Sequence, residues 1–327
     1  MSYFDIEMGP LAFAIVIVPI SVATILINVF FICCMFSSQE GPENLQKQPL
    51  YVLLGSLIAC NFMLNIFNLL FVMYDTVDVP LWLYAISAAS TLYAMRTSFT
   101  SSLGLNVFYY FQIVPAQHPF LIWVKTHIKL FMYLMLFSDR IFFLFGFIMR
   151  VLPISVFISE VDLNSSSVAL NVTSGGFEVL NDLILTDFGL RCFYFLVCLG
   201  VMVASNTSTV LYLWRHVKRM EDSSSSSALH YQKQKRVAIL SIIQTLLFFF
   251  SSAWLMTYEV IIRLNVYYFD LSGHILFSVV GFYSFGTTII LGVGQTKFRV
   301  RAVEIGKKLV RLSHKVTSMW LLCNTNG

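Results

Sequence analysis

The sequence predicts an all-α polytopic membrane protein, a bundle of seven transmembrane helices. Two observations carry that reading. Of 327 residues, 57% are hydrophobic and only 12% charged, and the mean hydropathy is +0.77. A soluble domain has about 25% charged residues, so this chain holds too little charge to cover a surface in water. The charges are also spaced so that seven long apolar stretches lie between them. A helical span needs about 20 such residues, because the hydrocarbon core is about 30 Å thick and a helix rises about 1.5 Å per residue. The composition excludes a soluble enzyme, a nucleic-acid binder and a disordered chain.

The first stretch, Met8 to Gln39, follows an acidic start, MSYFDIEMG, and is too long for a signal peptide. It is expected to remain as a span. Gln48 to Tyr74 is the second, and Trp82 to Val114 the third, interrupted only by Arg96. The fourth runs from about Leu130 to Val151 and contains Asp139 and Arg140. Cys192 to Trp214, Val237 to Tyr258 and Leu271 to Thr296 complete the seven. Strands fit poorly. Segments such as Thr245 to Ala253 (TLLFFFSSA) lack the alternating polarity of a barrel strand. Seven is odd, so the two ends of the chain lie on opposite sides.

Basic residues orient the chain. Of 21 Lys and Arg, 16 fall in the first, third and fifth connections and after the last span. Only Arg150, Arg191 and Arg263 fall on the other face. Lys and Arg collect on the cytoplasmic side, so the N-terminus is expected outside and the C-terminus inside. The connection from about Leu152 to Gly189 is the longest. It is acidic (Glu160, Asp162, Glu178, Asp182, Asp187) and carries glycosylation sequons at Asn164 and Asn171. A third sequon, at Asn206, lies inside the fifth span and is expected to be unused. Cys33, Cys34, Cys60, Cys192 and Cys198 fall in spans and Cys323 near the end, so no structural disulfide is expected. Cys323 is a weak candidate for palmitoylation. Ser223 to Ser227 reads as a flexible, phosphorylatable hinge. No HExxH, CxxC, GxSxG or phosphate loop occurs, and the six His are scattered. Neither catalysis nor a metal or other cofactor is indicated.

After the seventh span, Phe298, Ala302, Ile305, Leu309 and Leu312 recur at helical spacing. Arg299, Arg301, Lys307, Lys308 and Arg311 fall mostly elsewhere on the wheel. That pattern predicts an amphipathic helix on the membrane surface, with lipid as its partner. In the second span, Asn61, Asn65 and Asn68 share one face. With Asn28 they can build a hydrogen-bond network between helices.

A sharper signal lies at the end of the third span. Leu105–Ile113 (LNVFYYFQI) runs into His118–Ile128 (HPFLIWVKTHI). This resembles the bitter taste receptor family, whose third helix ends LSVFYFLKIA-like and continues HPxFLWLKxRI. His216–Met220 (HVKRM) is similar to that family's HxxKM, and a Ser-rich stretch and His230 follow it. Asn28–Ile32 (NVFFI) is similar to its GNxFI, with Ile27 for the Gly. The chain departs from the pattern at Gln112, where the family is basic. It departs again at Leu57–Asn61 (LIACN), which lacks the Arg of LAxSR. In the last helix only Leu291, Lys297 and an apolar Phe298 match. It is identified as a divergent member.

The resemblance implies a G-protein-coupled receptor domain over residues 1–313, amphipathic helix included, with a short tail over 314–327. A small-molecule agonist, a bitter compound, would bind in a cleft on the outer side, between the third, fifth, sixth and seventh spans. A heterotrimeric G protein, gustducin-like or of inhibitory type, would be the inner partner, with the receptor at the plasma membrane.

Arg96 falls where the family has a pocket-lining His. A charge at that depth costs about 2.5–3.5 kcal/mol on insertion scales, so it must face the bundle interior or a wet cavity. Its helical neighbours Tyr93, Phe99 and Thr100 are expected to meet Trp254, Tyr258 and Glu259 from the sixth span, with Glu259 as its ion partner. The pocket reading of Arg96 and a purely structural ion pair are both open at this point. Asp139 and Arg140 point about 100° apart on a helix, so each needs a partner elsewhere. For the G-protein face, the resemblance together with the positive cluster marks Gln112, Lys125, His216, Lys218, Arg219 and Lys297. Most of these charges also fit simple attraction to anionic lipid. Two alternatives remain: a vomeronasal type-1-like chemoreceptor, which lacks the FYYF…HPFLIWVK run, and a transporter or channel, which would need broken helices and a continuous polar path.

Overall fold

The computed structural model describes residues 7–36, 48–77, 79–115, 118–164, 174–220, 227–264, 270, 272–296, 298–308 and 310–311. Every regular element among them is helical. The order is α1 (Pro10–Phe36), α2 (Gln48–Tyr74), α3 (Leu81–Ile113), α4 (Pro119–Thr126), α5 (Ile128–Asn164), α6 (Ser174–Met220), α7 (Ser227–Leu264) and α8 (His274–Gly294). A further helical segment covers 298–308.

The helix α1 shows why this is a bilayer fold. It buries Phe13, Ile17, Ser21, Thr24, Asn28 and Phe31, which recur every three or four residues on one face. Its opposite face exposes Leu11, Ile15, Val18, Val22, Leu26 and Val29. The polar side chains are inside and the aliphatic ones outside, the reverse of a soluble helix. Hydrocarbon offers no partner for a backbone N–H or C=O, so such a segment must close its own hydrogen bonds as a helix.

Six helices (all but α3 and the short α4) are long and apolar enough to cross a membrane. The seventh spanning helix, α3, has 33 residues but carries Arg96 and many Ser and Thr. Its position explains the difference. It packs on α2, α5, α6 and α7 and buries most of its length, so it has little surface to offer lipid. Around it, α1–α2, α1–α8, α6–α7 and α7–α8 are paired in a ring. One large core surrounds α3 and includes Leu57, Met95, Phe99, Phe248, Leu255 and Tyr283. A small second core of Phe13, Ile17, Phe71 and Phe277 joins α1, α2 and α8.

Connectivity places the C-terminal ends of α1, α3, α6 and α8 with the N-terminal ends of α2, α5 and α7. This is the basic end, where Lys125, Lys129, Arg215, Lys235, Arg236 and Arg301 are exposed. At the opposite end, Asp270 organises the start of α8. Its carboxylate accepts from Ile275 N (3.0 Å) and Leu276 N (2.9 Å), which caps the helix from outside. His274 binds the Met8 carbonyl (2.6 Å) and the Asp75 carboxylate (3.1 Å), tying α8 to α1 and α2.

The second span begins and ends where the charge pattern placed it. Several others extend further. The charge-free windows mark only the segment lying in lipid, and a helix does not stop where charge begins. Consequently the connection expected over Leu152 to Gly189 is largely helical, in α5 and α6. Asp187 is therefore a helical residue, one turn from Arg191, and not a loop residue. Asn164 is the last residue of α5, and Asn171 lies outside the described residues. Asn206 is buried and bonded to Thr245 (2.6 Å).

Past α8, Phe298 is buried and stacks on Phe31 with centroids 4.3 Å apart. Ala302 and Ile305 of the same segment are exposed, as suits a helix with one face toward lipid. Leu309, Leu312 and Cys323 lie outside the described residues, as do 314–327.

Candidate functional site

Four helices meet around one buried ionic cluster. Arg96 of α3 donates to Glu259 of α7 (2.8 Å), and Arg191 of α6 donates to the same carboxylate oxygen (3.1 Å). Asp187 pairs with Arg191 one turn along α6 (3.0 Å). None of the four exceeds 7% exposure, and their formal charges cancel. Gly146 of α5 makes room for them, since a Cβ there would lie 3.2 Å from Asp187 Oδ1 and 3.7 Å from an Arg96 nitrogen. The Arg96 guanidinium stands 5.9 Å from the Phe143 ring centroid.

Beneath the cluster lies a small cavity of about 20 Å³. Arg96, Phe99, Phe143, Arg191, Phe248 and Ser252 are among its walls. It is an aromatic chamber with two guanidinium groups at one side, and it admits little more than a water-sized body as it stands. It is bounded by α3, α5, α6 and α7.

The residues expected to gather here divide. Arg96, Phe99 and Glu259 come together. Thr100 sits one turn below, bonded to Asp139 and to the Tyr194 hydroxyl; Tyr194 in turn donates to Asp139 (2.9 Å). Tyr258 turns to the Asp270 carbonyl (3.4 Å), and neither it nor Trp254 lines this chamber. Tyr93 lies on another face of α3 and lines a separate cavity with Arg140. A window of i±3 and i±4 neighbours spans more of the helix than one cavity sees, so Tyr93 faces a different cavity from Arg96 and Phe99. Asp139 and Arg140 do take separate partners: Arg140 reaches Ser56 (2.6 Å) and Cys60 (3.7 Å) of α2.

Sequence reasoning missed Asp187, Arg191 and Gly146. The i, i+4 spacing of Asp187 and Arg191 was a usable signal. It is hidden because a span bounded by its charges begins only at Cys192, which leaves Asp187 in the preceding connection.

A second missed feature is a polar row on α3. Ser98, Ser102, Asn106 and Tyr109 share one face at steps of 4, 4 and 3. Each bonds across the bundle. Ser98 donates to Asn61 Oδ1 (3.3 Å) and meets the Tyr283 hydroxyl (3.2 Å). Ser102 accepts from Gln244 (3.0 Å). Asn106 accepts from Ser205 (2.7 Å) and donates to Thr245 (3.3 Å). Tyr109 accepts from Gln295, the residue that ends α8 (2.5 Å). The expected Asn network forms beside it: Asn28 and Asn61 both donate to Thr288 (3.5 and 3.3 Å) and Asn65 donates to Ser284 (2.8 Å).

At the basic end, Leu57, Ser102, Asn106, Tyr109, Gln244 and Gln295 line a cavity of about 50 Å³. The adjacent HPFLIWVK run has a physical explanation. The His118 ring accepts from Phe120 N (3.3 Å) as the cap of α4, and Pro119 fills the first helical position, where no N–H is needed. The helix then buries Val124 and exposes Phe120, Trp123 and Lys125. Gln112 is exposed nearby. The side chains of His216, Lys218 and Arg219 and residue Lys297 lie outside the described residues.

The sequence matches the family described as taste receptor protein (TAS2R) over residues 7–309, nearly its whole length. The chain belongs to this family. Its members are seven-helix G-protein-coupled receptors, and α1, α2, α3, α5, α6, α7 and α8 are the seven helices of this receptor. No curated protein matches the sequence. Membership identifies a bitter-taste-type chemoreceptor, a multi-pass membrane protein with, in general, a small-molecule ligand and a G-protein partner.

Proposed function

We propose that this receptor takes small, amphipathic bitter-type agonists into the chamber beneath the Arg96–Glu259–Arg191 cluster. The single observation supporting this is the placement of a buried, charge-balanced cluster over an aromatic cavity shared by four helices. A ligand atom of either sign finds a complement there: an anionic or carbonyl group on the guanidiniums, an ammonium on Glu259 or the ring faces. The chamber is tight, so an agonist enters by displacing part of the ionic cluster. It therefore favours whichever arrangement holds these helices apart, and that population grows when it binds.

The polar row on α3 links that event to the far end. Glu259 and Gln244 lie on the same helix, α7, and Gln244 and Thr245 hold α3 at Ser102 and Asn106. Movement of α7 loosens those bonds and then the Tyr109–Gln295 contact that closes the basic end. The opened cavity accepts a G-protein segment; Gln112 and Lys125 are exposed at this end, and the family resemblance adds His216, Lys218, Arg219 and Lys297 as candidate contacts. A gustducin-like or inhibitory G protein is the partner this family membership favours. The basic end faces the cytoplasm by the positive-inside rule, at the plasma membrane, with Asn164 and Asn171 outside.

A calcium-response screen of bitter compounds, in cells holding a promiscuous G protein, tests the reading. An agonist that responds with the wild type and loses potency with Arg96→Ala at equal surface expression supports it. Unchanged potency with Arg96→Ala contradicts the pocket role.

A further inference from the structure

The cavity lined by Tyr93 and Arg140 lies on the other side of α3 from the ionic cluster. It has a volume of about 380 Å³, within the range of small-molecule sites. Its walls come from α2, α3 and α5: Cys60 and Met63, Tyr93 and Thr97, Arg140 and Phe147 among them. Met63 is 44% exposed and Leu144, also on the wall, 49%. Both belong to spanning helices, so this wall of the cavity lies on the outer, lipid-facing side of the bundle.

Arg140 is the group in this cavity that needs explaining. It lies twelve residues into α5 from the basic end, a depth of about 18 Å in a core about 30 Å thick. Its hydrogen bonds go to hydroxyl and sulfur groups: Ser56 Oγ (2.6 Å) and the Cys60 sulfur (3.7 Å from each terminal nitrogen) on α2, and the Tyr93 hydroxyl on α3. Sulfur is a weak acceptor, and a guanidinium offers five donors. Its neighbour Asp139 turns to Thr100 and Tyr194 on the far side of α3. No carboxylate among the described residues forms an ion pair with Arg140. The other buried cations of the bundle, Arg96 and Arg191, share Glu259. A half-buried guanidinium at mid-membrane is expensive, and bilayer proteins place such groups where they meet an ion or a ligand.

We infer that this side cavity binds a single-chain amphiphilic carboxylate from the bilayer, its head on Arg140 and its tail along Met63, Leu144 and Phe147. The anionic head supplies the charge-assisted, two-pronged bond for which guanidinium is shaped. The depth selects the source. A phospholipid head group stays at the interface, whereas a fatty-acid carboxylate can descend to an arginine with only its short polar end.

The test uses the full-length receptor in phosphatidylcholine nanodiscs with tritiated dodecanoate, counts on empty discs being subtracted. Saturable binding is expected, displaced by unlabelled dodecanoate but not by dodecanol. Arg140→Gln should weaken it about tenfold or more, as loss of a charged hydrogen bond does, with Arg140→Lys intermediate. Ala59→Phe, on the lipid-facing wall, should block binding while Arg140 stays in place, and it carries the test if Arg140→Gln does not fold. Equal displacement by dodecanol, or wild-type binding by the folded Arg140→Gln or Ala59→Phe receptor, overturns the assignment. So does displacement by phosphatidylglycerol at the same molar ratio, which would make the site one for anionic head groups.

Discussion

Arg96, Arg191 and Glu259 form the residue-scale centre of the account, because one carboxylate serves two guanidiniums on two other helices. Removing one partner of a buried pair leaves a charge uncompensated, at a cost of about 3–5 kcal/mol, whereas replacing both partners by apolar groups is often neutral. Glu259→Gln is therefore expected to lower the melting temperature of the purified receptor more than Arg96→Ala, since it removes the carboxylate that Arg96 and Arg191 both use, whereas Arg96→Ala leaves Glu259 paired with Arg191 and Arg191 with Asp187. Equal shifts would show that Arg191 does not share Glu259. The Arg96–Glu259 pair was legible from sequence because an intramembrane Arg demands a partner and few acids lie at its depth. Arg191 was not legible. Its own counter-ion, Asp187, looked like part of an acidic loop until the length of α6 was known.

At the scale of the element, two helices depart from what hydropathy alone suggests. The helix α3 is too polar to look like a confident span. It spans because its polar side chains face other helices, as Ser98, Ser102, Asn106 and Tyr109 do. Tyr109→Phe removes the Gln295 bond that holds α3 to the end of α8. Raised basal signalling is expected, read as agonist-free G-protein activation per receptor at the cell surface; basal activity at or below wild type would contradict a closing role. The short helix α4 depends on its first two residues. His118→Ala removes the cap and costs about 1 kcal/mol of local helix stability. G-protein coupling efficiency should fall while agonist affinity, measured by competition, stays constant. A matching fall in affinity would place His118 elsewhere in the mechanism. On α5, Gly146→Val brings bulk against Asp187 and Arg96, so surface expression should drop well below that of Gly146→Ala.

For the whole molecule, the scarcity of charge, the seven charge-poor stretches and the end-loading of Lys and Arg make the seven-helix plan readable in the sequence. The pattern works because bilayer physics acts on every residue of a span. The placement of Tyr93, Tyr258 and Trp254 is less readable, since it depends on how each helix is rotated about its axis, which no single segment encodes. The chamber at the ionic cluster and the side cavity at Arg140 follow from that same rotation. The central claim is that agonist binding at the ionic cluster drives G-protein activation at the basic end. Its most direct test is agonist-stimulated nucleotide exchange on a heterotrimeric G protein, in vesicles holding the wild type, Arg96→Glu, Glu259→Arg or the exchanged pair. The account predicts exchange by the wild type, a loss of agonist potency of about tenfold or more in each single variant, and partial recovery in the pair. Wild-type potency in either well-folded single variant would contradict it.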